Sequence, residues 1–216
     1  MKLLYFAYDE GGFMIPYSLN VGVRKHVTVI LVLISVCITV GLEGSVIHFF
    51  SNNFFTNIFS EEAFKLLTAV TVPPFLVWYL VNILYCKVLW KCPCFQLLHH
   101  IPNLNGTWTG HTINDKNPNR KRSVSVIIKQ DWNDILIRTE IIDTNRKSDA
   151  QSFCECTVAA IDVTGGEIKL KYAYKNMLLG VESYVGYNEL RIEKNRIVGQ
   201  YITTKPTKGV FDISKR

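Results

Sequence analysis

The sequence predicts a membrane α-helical region followed by a small all-β domain, in which two N-terminal transmembrane helices precede an eight-stranded antiparallel β-barrel. Two apolar stretches, residues 27–47 and 66–86, contain almost no charged residue. After residue 103 the pattern changes to short segments in which apolar and polar residues alternate. Basic residues follow the same division, since 18 of the 24 Lys and Arg lie after residue 100. This combination favours a tethered binding protein over a soluble enzyme.

The two apolar stretches have the length of membrane spans. Each contains 21 residues, and a helix that rises about 1.5 Å per residue then crosses a hydrocarbon core of about 30 Å. Only a helix satisfies its own backbone in lipid at this length. The first stretch starts late and has no small-residue cleavage site, so we predict a retained anchor. Pro73 and Pro74 are expected to kink or break the second helix.

The distribution of positive charge predicts the orientation. Arg24 and Lys25 precede the first span, and Lys87 and Lys91 follow the second. The intervening region is acidic, with Glu43 at the end of the first span and Glu61 and Glu62 in the loop. By the positive-inside rule, both termini of this multi-pass protein are cytoplasmic.

The remaining chain divides into a linker and a barrel. We assign residues 1–97 to the two-helix region, 98–103 to the linker and 104–216 to a cytoplasmic ligand-binding domain. The predicted strands are residues 106–113, 123–130, 135–143, 152–163, 167–175, 184–193, 197–204 and 209–214. Residues 114–122 are predicted to be a turn, and Gly165-Gly166 a tight hairpin. Closure into a barrel removes exposed sheet edges, and eight strands leave room for packed side chains or one small ligand.

The sequence offers little support for catalysis. It contains no Ser-His-Asp arrangement and no glycine-rich phosphate loop before a helix. The cysteine pairs Cys92/Cys94 and Cys154/Cys156 have C-x-C spacing, which is not that of a zinc or thioredoxin site. We therefore expect no metal, no cofactor and no enzymatic activity.

Ligand binding is better supported by the aromatic and basic residues of the β domain. Aromatic rings can stack on bases, a contact worth about 1–3 kcal/mol per base in single-strand binders, and basic side chains can contact phosphates. Tyr172 and Tyr174 share the apolar face of one strand, and Asn176 follows them. Such aromatic residues are equally typical of a barrel core. The candidate ligand-binding residues are Trp108, Trp132, Arg138, Tyr172, Tyr174, Asn176, Tyr201 and Thr203.

The order of these segments resembles a known family. Residues 105–110 (Asn-Gly-Thr-Trp-Thr-Gly), 130–132 (Gln-Asp-Trp), 172–176 (Tyr-Ala-Tyr-Lys-Asn) and 199–204 (Gly-Gln-Tyr-Ile-Thr-Thr) carry the resemblance, together with the two spans. The layout is similar to the two-transmembrane β-barrel effectors of bacterial cyclic-oligonucleotide-based antiphage signalling systems (CBASS). The resemblance covers roughly residues 27–216.

The resemblance implies an antiphage defence effector. A functionally linked cyclic nucleotide synthase responds to infection, and the cytoplasmic barrel binds the resulting cyclic di- or trinucleotide. Binding promotes homo-oligomerisation and disruption of the lipid bilayer of the bacterial inner membrane, which kills or arrests the infected cell. No nucleic acid polymer is implied as a partner. The nucleotide, the oligomer size and the choice between a pore and bilayer disorder stay open.

Two other functions remain open from the sequence alone. Gly106 and Trp108 are also similar to the opening signature of lipocalins, in which the Trp closes one end of the barrel. A membrane-tethered, lipocalin-like binder of a small apolar ligand is therefore the first alternative. A structural membrane protein whose barrel binds another protein is the second.

Overall fold

The computed structural model describes residues 14–19, 21–51, 74–143, 150–177 and 183–216. The chain forms two compact units, which are described separately. One comprises residues 1–20 together with 100–216, and the other comprises residues 21–99. The first is a β unit and the second a helical unit.

Among its described residues, the helical unit contains one helix with the properties of a membrane span. Helix α1 is Val21–Ser51, α2 is Pro74–Lys87, a 3₁₀ turn covers Leu89–Lys91, and α3 is Pro93–His99. Within α1, Gly22–Leu42 has a mean hydropathy of 2.2 over 21 residues and is compatible with membrane association. Helix α2 has 14 described residues and is shorter than a span. Residues 66–73 of the predicted second span, including Pro73, lie outside the described residues.

Helices α1 and α2 pack against each other within this unit. Val27, Leu31, Ser35 and Thr39 are buried at four-residue spacing along α1, which places them on one helix face. The hydroxyls of Ser35 and Thr39 donate to the carbonyl oxygens of Leu31 and Ser35, at 2.7 and 2.9 Å. Both hydroxyls therefore have hydrogen-bond acceptors within their own helix. This face of α1 can be buried against another helix without leaving a hydroxyl donor unpaired.

The β unit is a closed antiparallel sheet with one added strand. Its strands are β1 Ile15–Leu19, β2 Gly106–Asn114, β3 Asn117–Gln130, β4 Asp134–Asp143, β5 Ala150–Thr164, β6 Glu167–Met177, β7 Tyr184–Glu193, β8 Arg196–Thr203 and β9 Lys208–Lys215. Strands β2 to β9 pair in sequence order, and β9 returns to pair with β2. Strand β1 enters the sheet between β4 and β5. The described residues thus form nine strands where the sequence predicted eight.

Two sequence predictions are corrected here. Strand β3 starts at Asn117, whereas residues 114–122 were expected to form a turn. The reversal needs only two residues because Asn114 accepts a hydrogen bond from the Lys116 amide at 2.9 Å through its side chain. The second correction is β1, which was assigned to the membrane region. A five-residue segment directly before a long apolar stretch gives too short a pattern to separate from it.

The predicted alternation of side chains is confirmed on β6. Leu170, Tyr172 and Tyr174 point to the interior and are buried. The predicted hairpin is also confirmed, because Gly165 and Gly166 have φ angles of 61° and 81°, which glycine adopts without a steric penalty. The sequence therefore predicts correctly which face of β6 points inward, and β6 contributes three residues to the candidate site.

The two ends of the sheet differ. We call the end formed by the β2–β3 and β8–β9 turns and the start of β7 the mouth, and the opposite end the closed end. At the closed end Trp108 is 1% exposed, and its indole nitrogen donates to the Leu104 carbonyl oxygen at 2.9 Å. Asn105 and Gln130 exchange hydrogen bonds beside it, at 2.7 and 2.8 Å. Packed side chains and satisfied polar groups therefore fill this end.

Candidate ligand-binding site

The interior near the mouth contains polar atoms that lack partners within the described residues. Asn176 and Asn188 are 0% and 2% exposed, and each has a side-chain oxygen that receives no hydrogen bond. The buried Tyr172 hydroxyl lies beside them, with Thr139 and Asn188 as side-chain hydrogen-bond partners. An unsatisfied buried polar group costs about 1–3 kcal/mol. The interior therefore suits a polar ligand that supplies hydrogen-bond donors to the two asparagine oxygens.

Strand register brings these groups together. Tyr172 lies opposite Asn188 on β7, and Asn188 lies opposite Tyr201 on β8. Two inward positions nearer the mouth, beyond the Tyr174/Gly186 pair, Asn176 lies between Cys154 on β5 and Tyr184 on β7. Directly opposite residues point to the same face of an antiparallel sheet, so these side chains share the interior.

The amide of Asn176 has a fixed orientation. Its nitrogen donates to the Ser152 hydroxyl and, at 3.2 Å, to the Cys154 sulfur. Both donor positions are thus engaged by β5, while the side-chain oxygen has no donor within the described residues. The Asn176 side-chain oxygen is therefore held in position to accept a hydrogen bond, and an N–H group on the edge of a base could donate it.

Two cations lie at the mouth around Tyr184. Arg122 is half-buried on the inward face of β3, in line with the buried Val124 and Val126. The charge of Arg122 acts on the phenols of Tyr184 and Tyr201, which lowers the pKa of each against the larger rise due to burial. Lys205 in the β8–β9 turn places its ammonium 5.2 Å from the centre of the Tyr184 ring. The mouth thus combines aromatic faces with positive charge, as a nucleotide site requires.

Glycines hold two of the interior tyrosine rings. The Tyr174 ring lies over Gly186, where a Cβ atom would overlap the phenol. The Tyr201 ring lies over Gly209, where a Cβ atom would come within 2.7 Å of the ring. Each ring therefore occupies space that any other residue would fill, which fixes its position across the neighbouring strand.

Burial keeps the titratable groups of the interior neutral. Burial raises the pKa of the Tyr172 and Tyr174 phenols well above the usual range. Burial also raises the pKa of the Cys154 thiol to about 11 and that of Cys156 to about 12. These groups stay protonated near neutral pH, so they add no negative charge that would repel an anionic ligand.

The structure brings some of the sequence-predicted residues together and separates others. Tyr172, Tyr174, Asn176 and Tyr201 share the interior near the mouth, as the strand registers given above establish. Thr203 lies at the mouth, where its hydroxyl contacts Thr207 and the Lys205 carbonyl within the β8–β9 turn.

The other three predicted residues lie elsewhere. Trp108 and Trp132 are buried at the closed end. Arg138 points outward from β4, with a guanidinium nitrogen 3.9 Å from the Glu155 carboxylate. These positions separate them from the polar group of side chains at the mouth.

Four residues of the candidate site are not among the eight candidates selected from the sequence: Arg122, Tyr184, Asn188 and Lys205. The sequence indicates Arg122 and Lys205 only as two of several basic residues that could contact phosphates, and Tyr184 only as one of several aromatic residues. Arg122 points inward like Val124, Val126 and Ile128, in a segment whose sequence predicts a turn. Asn188 occupies an inward position of β7, where the neighbouring inward residues are not polar. A polar residue at such a position is the sequence signal that could have identified it as a candidate.

The rim of the mouth also carries a surface groove. It has a volume of about 430 Å³ and is lined by residues 116–120, the last residue of the β2–β3 turn and the first four of β3. Lys116 and Arg120 give this groove a basic character, and Arg122 follows them on the same strand. The groove extends the positive region from the interior onto the rim.

Comparison with known proteins gives one family match. The family model described as "Cap15, cyclic dinucleotide receptor domain" matches residues 99–215, which is more than half of the chain and covers β2 to β9. A comparison with curated proteins finds no significant match.

Proposed function

The chain belongs to the Cap15 cyclic dinucleotide receptor family, a family of CBASS effector domains, and from this premise we propose that the mouth of its β unit binds a cyclic dinucleotide. In this proposal the ligand is the second messenger of an antiphage system, made by a separate synthase. Tyr172, Asn176 and Asn188 contact the bases, while Arg122 and Lys205 contact the phosphates.

The observation that carries this proposal is the pair of buried side-chain oxygens of Asn176 and Asn188, which accept no hydrogen bond from the described residues. A ligand that supplies donors to these oxygens removes an energetic penalty. The edges of nucleobases have these groups. An apolar ligand of the lipocalin type would leave the same atoms unsatisfied, which counts against that alternative.

The positive charge at the mouth supports an anionic ligand. A cyclic dinucleotide carries two phosphodiester charges, and guanidinium groups form strong, charge-assisted hydrogen bonds with phosphate oxygens. Tyr184 and Tyr201 lie beside Arg122 and offer ring faces for stacking. One mouth thus supplies the three kinds of contact that a cyclic dinucleotide needs.

We propose further that the helical unit is the effector part of the protein. Both predicted spans, residues 27–47 and 66–86, cross the inner membrane in this proposal, and both termini are cytoplasmic. Ligand binding promotes homo-oligomerisation, and the assembled helices disrupt the bilayer without any enzymatic step. The apolar α1 contacts α2, and the buried face of α1 includes the small polar residues Ser35 and Thr39; both observations support helix association in lipid.

The proposal is tested by calorimetric titration of the full chain in lipid nanodiscs against cyclic di- and trinucleotides. We expect one cyclic dinucleotide to bind with a Kd below about 1 μM, which corresponds to about 8 kcal/mol. The same nucleotide should release dye from vesicles that contain the protein. A folded chain that binds none of these nucleotides would refute the receptor function, and binding without dye release would refute the membrane-disrupting function.

A further inference from the structure

Strand β1 seals an opening in the wall of the β unit. Strands β4 and β5 pair directly only from Arg138/Glu155 to Asp143/Ala150, towards the mouth. Towards the closed end they separate, and β1 lies between them. It pairs antiparallel with residues 134–135 of β4 and parallel with residues 159–161 of β5.

The side chains of β1 fit this position. Tyr17 and Leu19 are 3% and 6% exposed, whereas Pro16 and Ser18 are exposed. This strict alternation directs one face of the strand into the core. Without β1, the facing segments of β4 and β5 would present unpaired backbone groups and uncovered apolar side chains, both of which are unfavourable in water.

Gln130 connects β1 to the segment that leads into β2. Its side-chain nitrogen donates to the Tyr17 hydroxyl at 3.3 Å, and its side-chain oxygen accepts from the Leu104 amide at 2.9 Å. The Tyr17 hydroxyl in turn donates to the Asp131 carbonyl oxygen at 3.2 Å. One buried side chain therefore holds two segments that are 87 residues apart in sequence, from 17 to 104.

These two segments are the chain connections to the helical unit. Only Asn20 separates the end of β1 from the start of α1, and residues 100–105 join α3 to β2. Leu19 lies opposite Ile161 near the closed-end terminus of β5, and β2 begins at that same end. Both connections therefore leave the β unit at the closed end. Strand β1 lies outside the residues matched by the receptor family, 99–215.

We propose that the slot between β4 and β5 is a docking surface for residues 15–19, and that the docked strand couples the receptor to α1, with Gln130 as the positioning residue for both connections. The coupling role rests on the function proposed above. A docked strand ties the start of α1 to the wall of the β unit through one residue. An undocked segment would leave α1 on a flexible tether, and a ligand could then shift the state of the helices only weakly.

The test compares full-length variants in lipid vesicles. Tyr17→Ala removes the buried ring and its hydrogen bonds, and Ser18→Ala is the matched control on the exposed face of the same strand. We expect Tyr17→Ala to raise amide exchange at residues 159–161 by about tenfold or more. We expect ligand-triggered dye release to fall by about tenfold, with the ligand Kd within about threefold of the wild-type value because the mouth is intact. Ser18→Ala should match the wild type.

A disulfide variant keeps the proposal testable if Tyr17→Ala does not fold. Ser18 lies opposite Ala160 in the register, so Ser18→Cys with Ala160→Cys locks β1 in place. The locked protein should keep ligand-triggered dye release. Wild-type amide exchange and dye release in Tyr17→Ala, or loss of release in the locked protein, would overturn the proposal. Amide exchange needs no ligand, so strand docking is tested even if the wild type binds no nucleotide and the receptor function itself fails.

Discussion

At the scale of single residues, Arg122 should contribute most of the electrostatic attraction for the ligand. Its guanidinium lies on the inward face of the mouth and acts on Tyr184 and Tyr201. Hydrogen bonds to charged groups contribute about 1.5–3 kcal/mol, so Arg122→Gln should weaken cyclic dinucleotide binding by about 10- to 150-fold in calorimetry. Arg191→Gln is the matched control, because Arg191 points outward and pairs with Glu193 at 2.8 Å. Equal effects of the two substitutions would contradict the assigned site.

Gly186 should act through Tyr174. A methyl group at position 186 would overlap the phenol ring and displace it, so Gly186→Ala should reduce ligand affinity by about tenfold. In a Tyr174→Ala background no ring is left to displace, and the same substitution should change affinity by less than about twofold, as a double-mutant cycle measures. Additive losses in the two backgrounds would show that Gly186 acts through the backbone instead.

The buried thiols predict how stability depends on pH. A thiol that ionises near 9.0 when unfolded and near 11 or 12 when folded keeps its proton longer in the native state. The unfolded state therefore binds fewer protons than the native state once its thiols ionise, and the free energy of unfolding should be constant well below pH 9 and fall as the pH rises through about 9 towards about 12.

The matched variant for this prediction is the double substitution Cys154→Ala with Cys156→Ala. Urea unfolding of the variant should show a smaller decrease from pH 9 to pH 10 than the wild type. Above pH 10 both should lose stability, because the pKa of the buried tyrosines is also raised. An identical decrease in both proteins from pH 9 to 10 would exclude a contribution from the thiols.

At the scale of elements, the number of membrane spans can be measured directly. If residues 27–47 and 66–86 both cross the membrane, the loop between them lies outside the cytoplasm and the β unit lies inside. Alkaline phosphatase fused after residue 56 should then be active, and a fluorescent protein fused after residue 216 should be bright. An inactive phosphatase fusion alongside a bright C-terminal fusion would show that the chain does not cross twice.

The elements also show what the sequence could and could not predict. The alternation on β6 identified Tyr172 and Tyr174 correctly as inward residues, because apolar and charged positions alternate there without interruption. The inward position of Arg122 could not be predicted, since polar residues at a solvent-exposed strand end resemble a turn. Strand β1 was missed because its pairing partners lie more than 100 residues away, and neither composition nor local period encodes that distance.

At the scale of the whole molecule, the β unit separates ligand recognition from its covalent connections. The unpartnered oxygens of Asn176 and Asn188 and the cations Arg122 and Lys205 lie towards the mouth, while Tyr17, Trp108 and Gln130 fill the closed end with satisfied contacts. Both chain connections to the helical unit leave from that closed end. In the proposed coupling, β5 and the docked β1 link a ligand at the mouth to the covalent connection with α1.

The measurement that tests the central claim most directly is photo-crosslinking of the full chain in nanodiscs with an azido-substituted cyclic dinucleotide, followed by peptide mass spectrometry. The account predicts adducts on peptides that contain Arg122, Tyr174, Tyr184 or Tyr201, and their loss when unlabelled ligand competes. Competable adducts confined to the closed end around Trp108 and Trp132, or to outward residues such as Arg138, would contradict the assigned binding site.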